Sequence, residues 1–203
     1  MEKIDYKKQL KHLYKPSPKN PAILEVPAMN YLMIDGEGDP NLAQSYGDAI
    51  AALYPVAYTL KFMVKRGEMA MDYGVLPLEA LWWADDMSDF VKGNKSKWKW
   101  TAMIMQPEFI TEAMVQDAIQ TVTAKKDPVA LPLLRFERYD EGLCAQILHI
   151  GPFSEEGPTI EKLHAYVESE RHQLRGKHHE IYLTDIRRAN PKNWKTVIRQ
   201  QIR

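Results

Sequence analysis

Residues 144–176, CAQILHIGPFSEEGPTIEKLHAYVESERHQLRG, contain the pattern that decides the fold. Cys144 to Ile150 reads as a strand, ended by Gly151-Pro152. Pro158 then opens a helix, where its missing N–H is no loss. Ile160, Leu163, Val167, Glu170 and Leu174 follow along one side of that helix, and Gly176 is the predicted stop. Toward the C-terminus the pattern continues as a strand from His179 to Thr184, a polar turn from Asp185 to Asn193, and a last strand from Trp194 to Ile202. Toward the N-terminus, Leu133 to Tyr139 is a further strand, separated from Cys144 by the turn Asp140-Glu141-Gly142.

The first half of the chain follows the same order. Ile23 to Ile34 reads as a strand interrupted by Pro27 and ends in Gly36-Glu37-Gly38-Asp39-Pro40, where Asp39 and Pro40 together form a helix-start signature. Leu42, Tyr46, Ile50, Leu53, Ala57, Leu60 and Val64 recur at helical spacing. Pro55 should kink or divide this helix, and Gly67 should end it. Two strand-like segments follow, Ala70 to Trp83 and Lys97 to Gln106, separated by the polar stretch Ala84 to Ser96. A second helix is predicted from Thr111, as cap, to about Lys125, with Met114, Val115, Ala118 and Val122 on one face. Lys126 to Pro132 reads as a linker. The half-ends rhyme as well, Lys99-Trp100-Thr101-Ala102-Met103 against Trp194-Lys195-Thr196-Val197-Ile198. Each half therefore runs strand, turn, helix, strand, strand, which points to duplication with a groove at a pseudo-twofold seam. The expected organisation is an arm (1–20), a first β-α-β-β module (21–107), a connecting helix and linker (108–132) and a second β-α-β-β module (133–203).

Bulk properties narrow the function. The 203 residues carry 27 basic and 27 acidic side chains, so no net positive charge draws the whole protein to nucleic acid. A single cysteine, Cys144, cannot close an internal disulfide, which suits a reducing compartment. Met1 to Lys19 is Lys-rich with no apolar run fit for a signal peptide, and nothing approaches the roughly 20 apolar residues of a membrane span. The expected location is the cytoplasm. Five Trp, 10 Tyr and 10 Met suit either core packing or an adaptable pocket for flat apolar ligands, and composition does not choose between them.

Five strings in order resemble the gyrase-inhibitor-like (GyrI-like) small-molecule-binding family. In the second half they are Ile147-Leu148-His149-Ile150-Gly151-Pro152-Phe153, with the Glu156 to Ile160 segment after it, and the closing His178-His179-Glu180-Ile181-Tyr182-Leu183-Thr184-Asp185. In the first half Ile34 to Pro40, Leu53 to Lys61 and Pro77 to Trp83 are similar to the family's stand-alone branch. The resemblance covers nearly the whole chain after residue 20. It implies an α+β fold of two SHS2-type modules, with one curved antiparallel sheet and two long helices on one face. The roughly 20 residues in front are too few for the helix-turn-helix domain that some relatives carry, so no direct nucleic-acid partner is expected. Two departures, Glu168 to Leu174 in place of a glycine–aromatic helix end and Gln201-Ile202 in place of a proline-containing strand end, bear on the pocket rim.

Alternation puts Glu180 and Tyr182 on one face of their strand. A carboxylate among apolar residues is costly to desolvate and its pKa is expected to rise, as suits a partner for cationic ligands or a base toward water. Pairing with Arg187 or Arg188 is the structural alternative. In the family the matching Glu is the pocket acid. In the stand-alone branch the implied activity is hydrolysis of the strained cyclopropane of duocarmycin and CC-1065-type antibiotics, a detoxification. Glu180 would be the base, and Tyr182 would position water or stabilise charge on the dienone oxygen. The alternatives are a non-catalytic multidrug-sequestering protein or a gyrase-modulating interaction protein. Candidate ligand contacts are Trp83, which shares a face with Glu79, and Glu79 itself, with Trp100, Tyr58 and Phe153; Trp194 is read as packing. No cofactor is implied. His178 and His179, adjacent on a strand, point to opposite faces and lack an obvious third metal ligand. Cys144 reads as core.

Overall fold

The computed structural model describes residues 3–86 and 93–203. In order its elements are β1 (Lys3–Ile4), α1 (Tyr6–Gln9), α2 (Lys11–Tyr14), β2 (Ala22–Val26), β3 (Met29–Glu37), α3 (Gln44–Arg66), β4 (Asp72–Tyr73), β5 (Glu79–Trp83), β6 (Lys99–Gln106), α4 (Glu112–Thr123), β7 (Arg135–Tyr139), β8 (Gly142–Ile150), α5 (Gly157–Ser169), β9 (Leu174–Tyr182) and β10 (Lys195–Ile202). This is an α+β fold, and eight of the strands belong to one antiparallel sheet. In chain order β3, α3, β4, β5 and β6 follow one another, and later β8, α5, β9 and β10. The chain forms two compact units, one of Met1–Tyr6, Met29–Leu76 and Trp82–Tyr139, the other of Lys7–Ala28, Pro77–Leu81 and Asp140–Arg203.

In the first unit β3 lies between β6 and β7, with Leu32 opposite Ile104 on one side and Phe136 on the other. Helix α3 buries Leu53, Val56, Leu60 and Val64. It runs unbroken through Pro55, so the expected kink or division does not divide the element. It also begins later than predicted. Asp39 closes a turn, its carbonyl accepting from the backbone N–H of Leu42 and Ala43 at 3.0 and 2.7 Å, and the helix starts only at Gln44. A short polar side chain followed by proline favours such a turn as readily as a cap. Thr111 caps α4 as expected, accepting from the Met114 N–H at 3.3 Å. Gly36 is required by packing, since a Cβ there would overlap the indole of Trp100. The polar stretch Ala84 to Ser96 lies partly outside the described residues.

In the second unit the order is β2-β8-β10-β9, with Glu79–Leu81 of β5 beyond β9. The segment Ile23 to Ile34, read as one interrupted strand, is two. Proline offers no ladder N–H, and the chain breaks around Pro27 so that β2 pairs with β8 while β3 serves the first unit. Ala70 to Trp83 likewise divides into β4 and β5.

Gly176 is not the stop of α5, which ends at Ser169. Arg171 takes the left-handed turn at φ 62°, and Gly176, at φ 64°, lies inside β9 against Gln201. Leu174 can therefore pair with Ile202, and β9 starts five residues before the predicted His179. On the face covered by α5, Leu163 and Val167 pack on Ala145, Ile147, Ile198 and Ile202. Among the described residues no helix is long and apolar enough to cross a membrane.

Candidate functional site

Both faces of β9 carry polar clusters, and alternation along Leu174–Tyr182 separates them. On the face that α5 covers, Glu180 stands opposite Ile198 of β10, with His178 opposite Gln200 and Tyr182 opposite Thr196. His178 Nε2 lies 3.1 Å from Glu180 Oε1, and the Tyr182 hydroxyl donates to Glu180 Oε2 at 2.7 Å. The carboxylate is thus held at both oxygens while its side chain keeps 15% of its exposure. Around Tyr182, Phe153 lies edge-on at 5.5 Å between ring centroids and in turn packs on Trp194 at 4.9 Å.

Burial alone would raise the Glu180 pKa, as the sequence suggested. The hydrogen bond and charge of His178 and the hydrogen bond from Tyr182 outweigh it, and the pKa lies below the ordinary carboxylate value. The expected upward shift is therefore corrected: Glu180 is an ionised carboxylate at neutral pH. Arg187 does not pair with it; that guanidinium is held by Asp185 at 2.9 and 3.0 Å.

The opposite face holds a fully buried network. His179 donates to Glu141 Oε1 at 2.8 Å from Nδ1 and to Glu79 Oε2 at 3.0 Å from Nε2. Tyr14 donates its hydroxyl to the other Glu79 oxygen at 3.0 Å. Arg199 donates to Glu141 Oε2 at 3.0 Å, to Gln146 Oε1 at 3.1 Å and to the Leu13 carbonyl at 3.1 Å, while Gln146 reaches the His12 carbonyl at 2.6 Å. Helix α2 is thereby tied to the sheet. Desolvation disfavours the His179 cation, but the charge and hydrogen bond of Glu141 and the hydrogen bond of Glu79 prevail, raising its pKa from 6.5 to about 9. Burial likewise opposes ionisation of Glu141, yet His179 and Arg199 lower its pKa from 4.5 to about 2.

These shifts set the pH range of stability. The raised His179 pKa adds stability that is full below pH 6.5 and lost as pH rises through about 9. The lowered Glu141 pKa adds stability that is present above pH 4.5 and lost as pH falls toward 2. Thermal midpoints measured across pH are expected to drop on both sides of this window. A midpoint that climbs from neutral into strongly alkaline pH would contradict the His179 cation.

Of the sequence candidates, the structure brings together Glu180, Tyr182 and Phe153. Glu79 is hydrogen-bonded to Tyr14 and His179 inside the network and, unlike Glu180, keeps no exposed surface. Trp83, Trp100 and Tyr58 belong to the first unit. Trp100 is wholly buried and meets Tyr46 edge-on at 4.9 Å, a core position. Tyr58 is 48% exposed on α3 and lines an open groove with Phe62, Met63 and Arg66. Trp83 is half-buried at the end of β5. His178 and His179 do point to opposite faces, and among the described residues no group of three His, Cys, Asp or Glu side chains is arranged to hold a metal. Cys144 is buried, which raises its thiol pKa and keeps it protonated.

The sequence reading missed His178, Glu141, Arg199 and Tyr14. His178 was legible, since it lies two residues before Glu180 and must share its face. Arg199 also left a signal, a guanidinium at an alternate position of an otherwise buried strand, which requires an acidic partner.

A strand-borne carboxylate rimmed by aromatic rings in this fold marks a small-molecule-binding protein, and the chain belongs to the GyrI-like family, whose small molecule binding domain matches residues 19–203. It is similar to an uncharacterized conserved protein from Listeria innocua at 39% identity, over 98% of this chain and 100% of that one, with a TM-score of 0.88. It is also similar to a hydrolase from Listeria innocua at 38% identity, over 98% of this chain and 100% of that one, with a TM-score of 0.86. The EcmrR C-terminal domain shares the fold at 14% identity, over 91% of this chain and 97% of that one, with a TM-score of 0.55. A comparison with curated proteins found no match.

Proposed function

We propose that this protein hydrolyses flat, apolar small molecules, opening the cyclopropane of DNA-alkylating spirocyclopropyl dienones, with Glu180 as the base that activates water. The observation that carries this reading is an ionised carboxylate, still 15% exposed, fixed at both oxygens by His178 and Tyr182 and bordered by the rings of Tyr182 and Phe153. The similarity to a Listeria hydrolase supports an enzyme. Opening the spiro ring turns the dienone into an aromatic phenol, so the reaction is downhill and the enzyme has only to orient a water and accept its proton. A carboxylate whose geometry is already set by two neighbours does this without reorganising. Because Tyr182 donates its one proton to Glu180, its role is to position the base, not to donate to the dienone oxygen.

The same ionised Glu180 beside aromatic rings also suits a planar cation, which favours a sequestering role as the second reading. Incubation of the purified protein with a duocarmycin-type spirocyclopropyl dienone separates the two. Catalytic conversion to a product heavier by one water is the expected result. Tight binding with the compound recovered unchanged would overturn hydrolysis in favour of sequestration.

A further inference from the structure

We propose that the Thr196 hydroxyl is a ligand-contacting donor in the Glu180 site, hydrogen-bonded to the ring oxygen on which negative charge develops; this deepens the hydrolytic reading above and rests on it. Thr196 is fully buried on β10, and among the described residues its Oγ1 has no hydrogen-bond partner. A hydroxyl taken out of water without a partner is destabilising. Valine has the same shape, is equally at home in a strand, and would fill the position without that cost. The hydroxyl is therefore explained by a partner that arrives with the ligand.

Its position fits such a partner. Thr196 is the register neighbour of Tyr182 on one side and of His149 on the other. It thus shares the face of Glu180, which stands opposite Ile198 two residues further along. Diagonal neighbours of this kind are roughly 7–8 Å apart, a span that one ring and a water bridge.

The polar groups on either side of Thr196 are already engaged. Tyr182 donates its only proton to Glu180 at 2.7 Å. His149 uses Nδ1 with the Thr159 hydroxyl at 2.9 Å and Nε2 with the Pro152 carbonyl at 3.2 Å. Neither neighbour supplies the donor, whereas the Thr196 hydroxyl has no partner among the described residues.

In the step itself, the oxygen of the water held by Glu180 bonds to the cyclopropane methylene, and the bond from that carbon to the spiro centre breaks. The electron pair moves into the ring, which becomes a phenolate. Glu180 takes the water proton, and the phenolate regains a proton from solvent as Glu180 releases its own. The sum is addition of one water, with no oxidant or reductant. Thr196 holds the oxygen as it changes from carbonyl to phenolate. A neutral donor aimed at that atom strengthens its bond as charge grows, so it acts on kcat more than on KM.

Thr196→Val and Thr196→Ser test the proposal, with a spirocyclopropyl dienone as substrate and thermal midpoint as control. Thr196→Val is expected to lower kcat by about 10²- to 10³-fold with KM little changed and the midpoint equal or higher. Thr196→Ser, which keeps the hydroxyl, should recover most of the rate. Turnover at the wild-type rate in Thr196→Val would remove Thr196 from the site and leave the hydrolytic reading intact. Equal losses in both variants, with lowered midpoints, would make Thr196 a packing residue and also overturn the proposal. A wild-type protein that leaves the dienone unchanged would overturn the hydrolytic reading, and this inference with it.

Discussion

Glu180→Gln is expected to lower turnover of a spirocyclopropyl dienone by about 10²- to 10⁴-fold, the contribution typical of a positioned general base. The substitution is nearly isosteric. The amide oxygen can still accept from Tyr182 or from His178, so one of the two bonds that hold the side chain survives. What disappears is the proton acceptor. In the wild type, the lowered pKa keeps Glu180 charged at neutral pH, so the rate should be flat through neutral pH and fall only in acid. The matching cost is that a weaker base gains less per proton transferred, which position must offset. A neutral ring system should still bind Glu180→Gln, because the rings of Phe153 and Tyr182 are untouched. Wild-type turnover in the variant, measured by product mass, would move the base elsewhere. Loss of binding together with turnover, for a neutral ligand, would show that the charge holds the ligand rather than activating water.

Arg199→Met is expected to destabilise the protein by about 3–5 kcal/mol, the cost of leaving a buried charge without its partner. Arg199 is 1% exposed and satisfies three acceptors at once, Glu141, Gln146 and the Leu13 carbonyl. Methionine fills much of the volume and none of the hydrogen bonds. Glu141 would then rest on His179 alone, and the carbonyl of Leu13 would be stranded between α2 and the sheet. Urea midpoints should show this loss. The contrast is Arg187→Met, whose guanidinium pairs with Asp185 in solvent at 84% exposure, where such pairs are worth little. The double variant Arg199→Met with Glu141→Gln should recover part of the loss, because no unpaired charge remains. Equal midpoints for wild type and Arg199→Met would mean that the network contributes nothing to stability.

Much of the architecture could be read from periodicity. The helix faces of Leu53, Leu60 and Val64 in α3, and of Leu163 and Val167 in α5, are buried as their spacing requires. The Thr111 cap and the glycine turn at Gly142, with φ 68°, follow from local chemistry alone. Errors arose where one signal serves two structures. Asp39-Pro40 closes a turn as readily as it opens a helix, and Gly176 can end a helix or sit in a bulged strand. Pro55 breaks a helix unless packing along both sides outweighs the lost hydrogen bond, as burial of Ala52, Leu53, Val56 and Ala57 does here.

For the site, strand alternation alone assigns the residues that share a face of β9, because alternation is a property of the strand. Glu180 with Tyr182, and His179 on the other side, needed no partner strand to be assigned. Tertiary structure decided what those residues meet. Glu79 lies 100 residues from His179 and Glu141 lies 58 from Arg199, and no local rule brings them together. The sign of the Glu180 pKa shift was decided there as well. Burial could be inferred from an apolar strand, but the countervailing bonds from His178 and Tyr182 depend on side-chain placement. A pKa is a balance between desolvation and specific partners, and only the folded chain supplies the second.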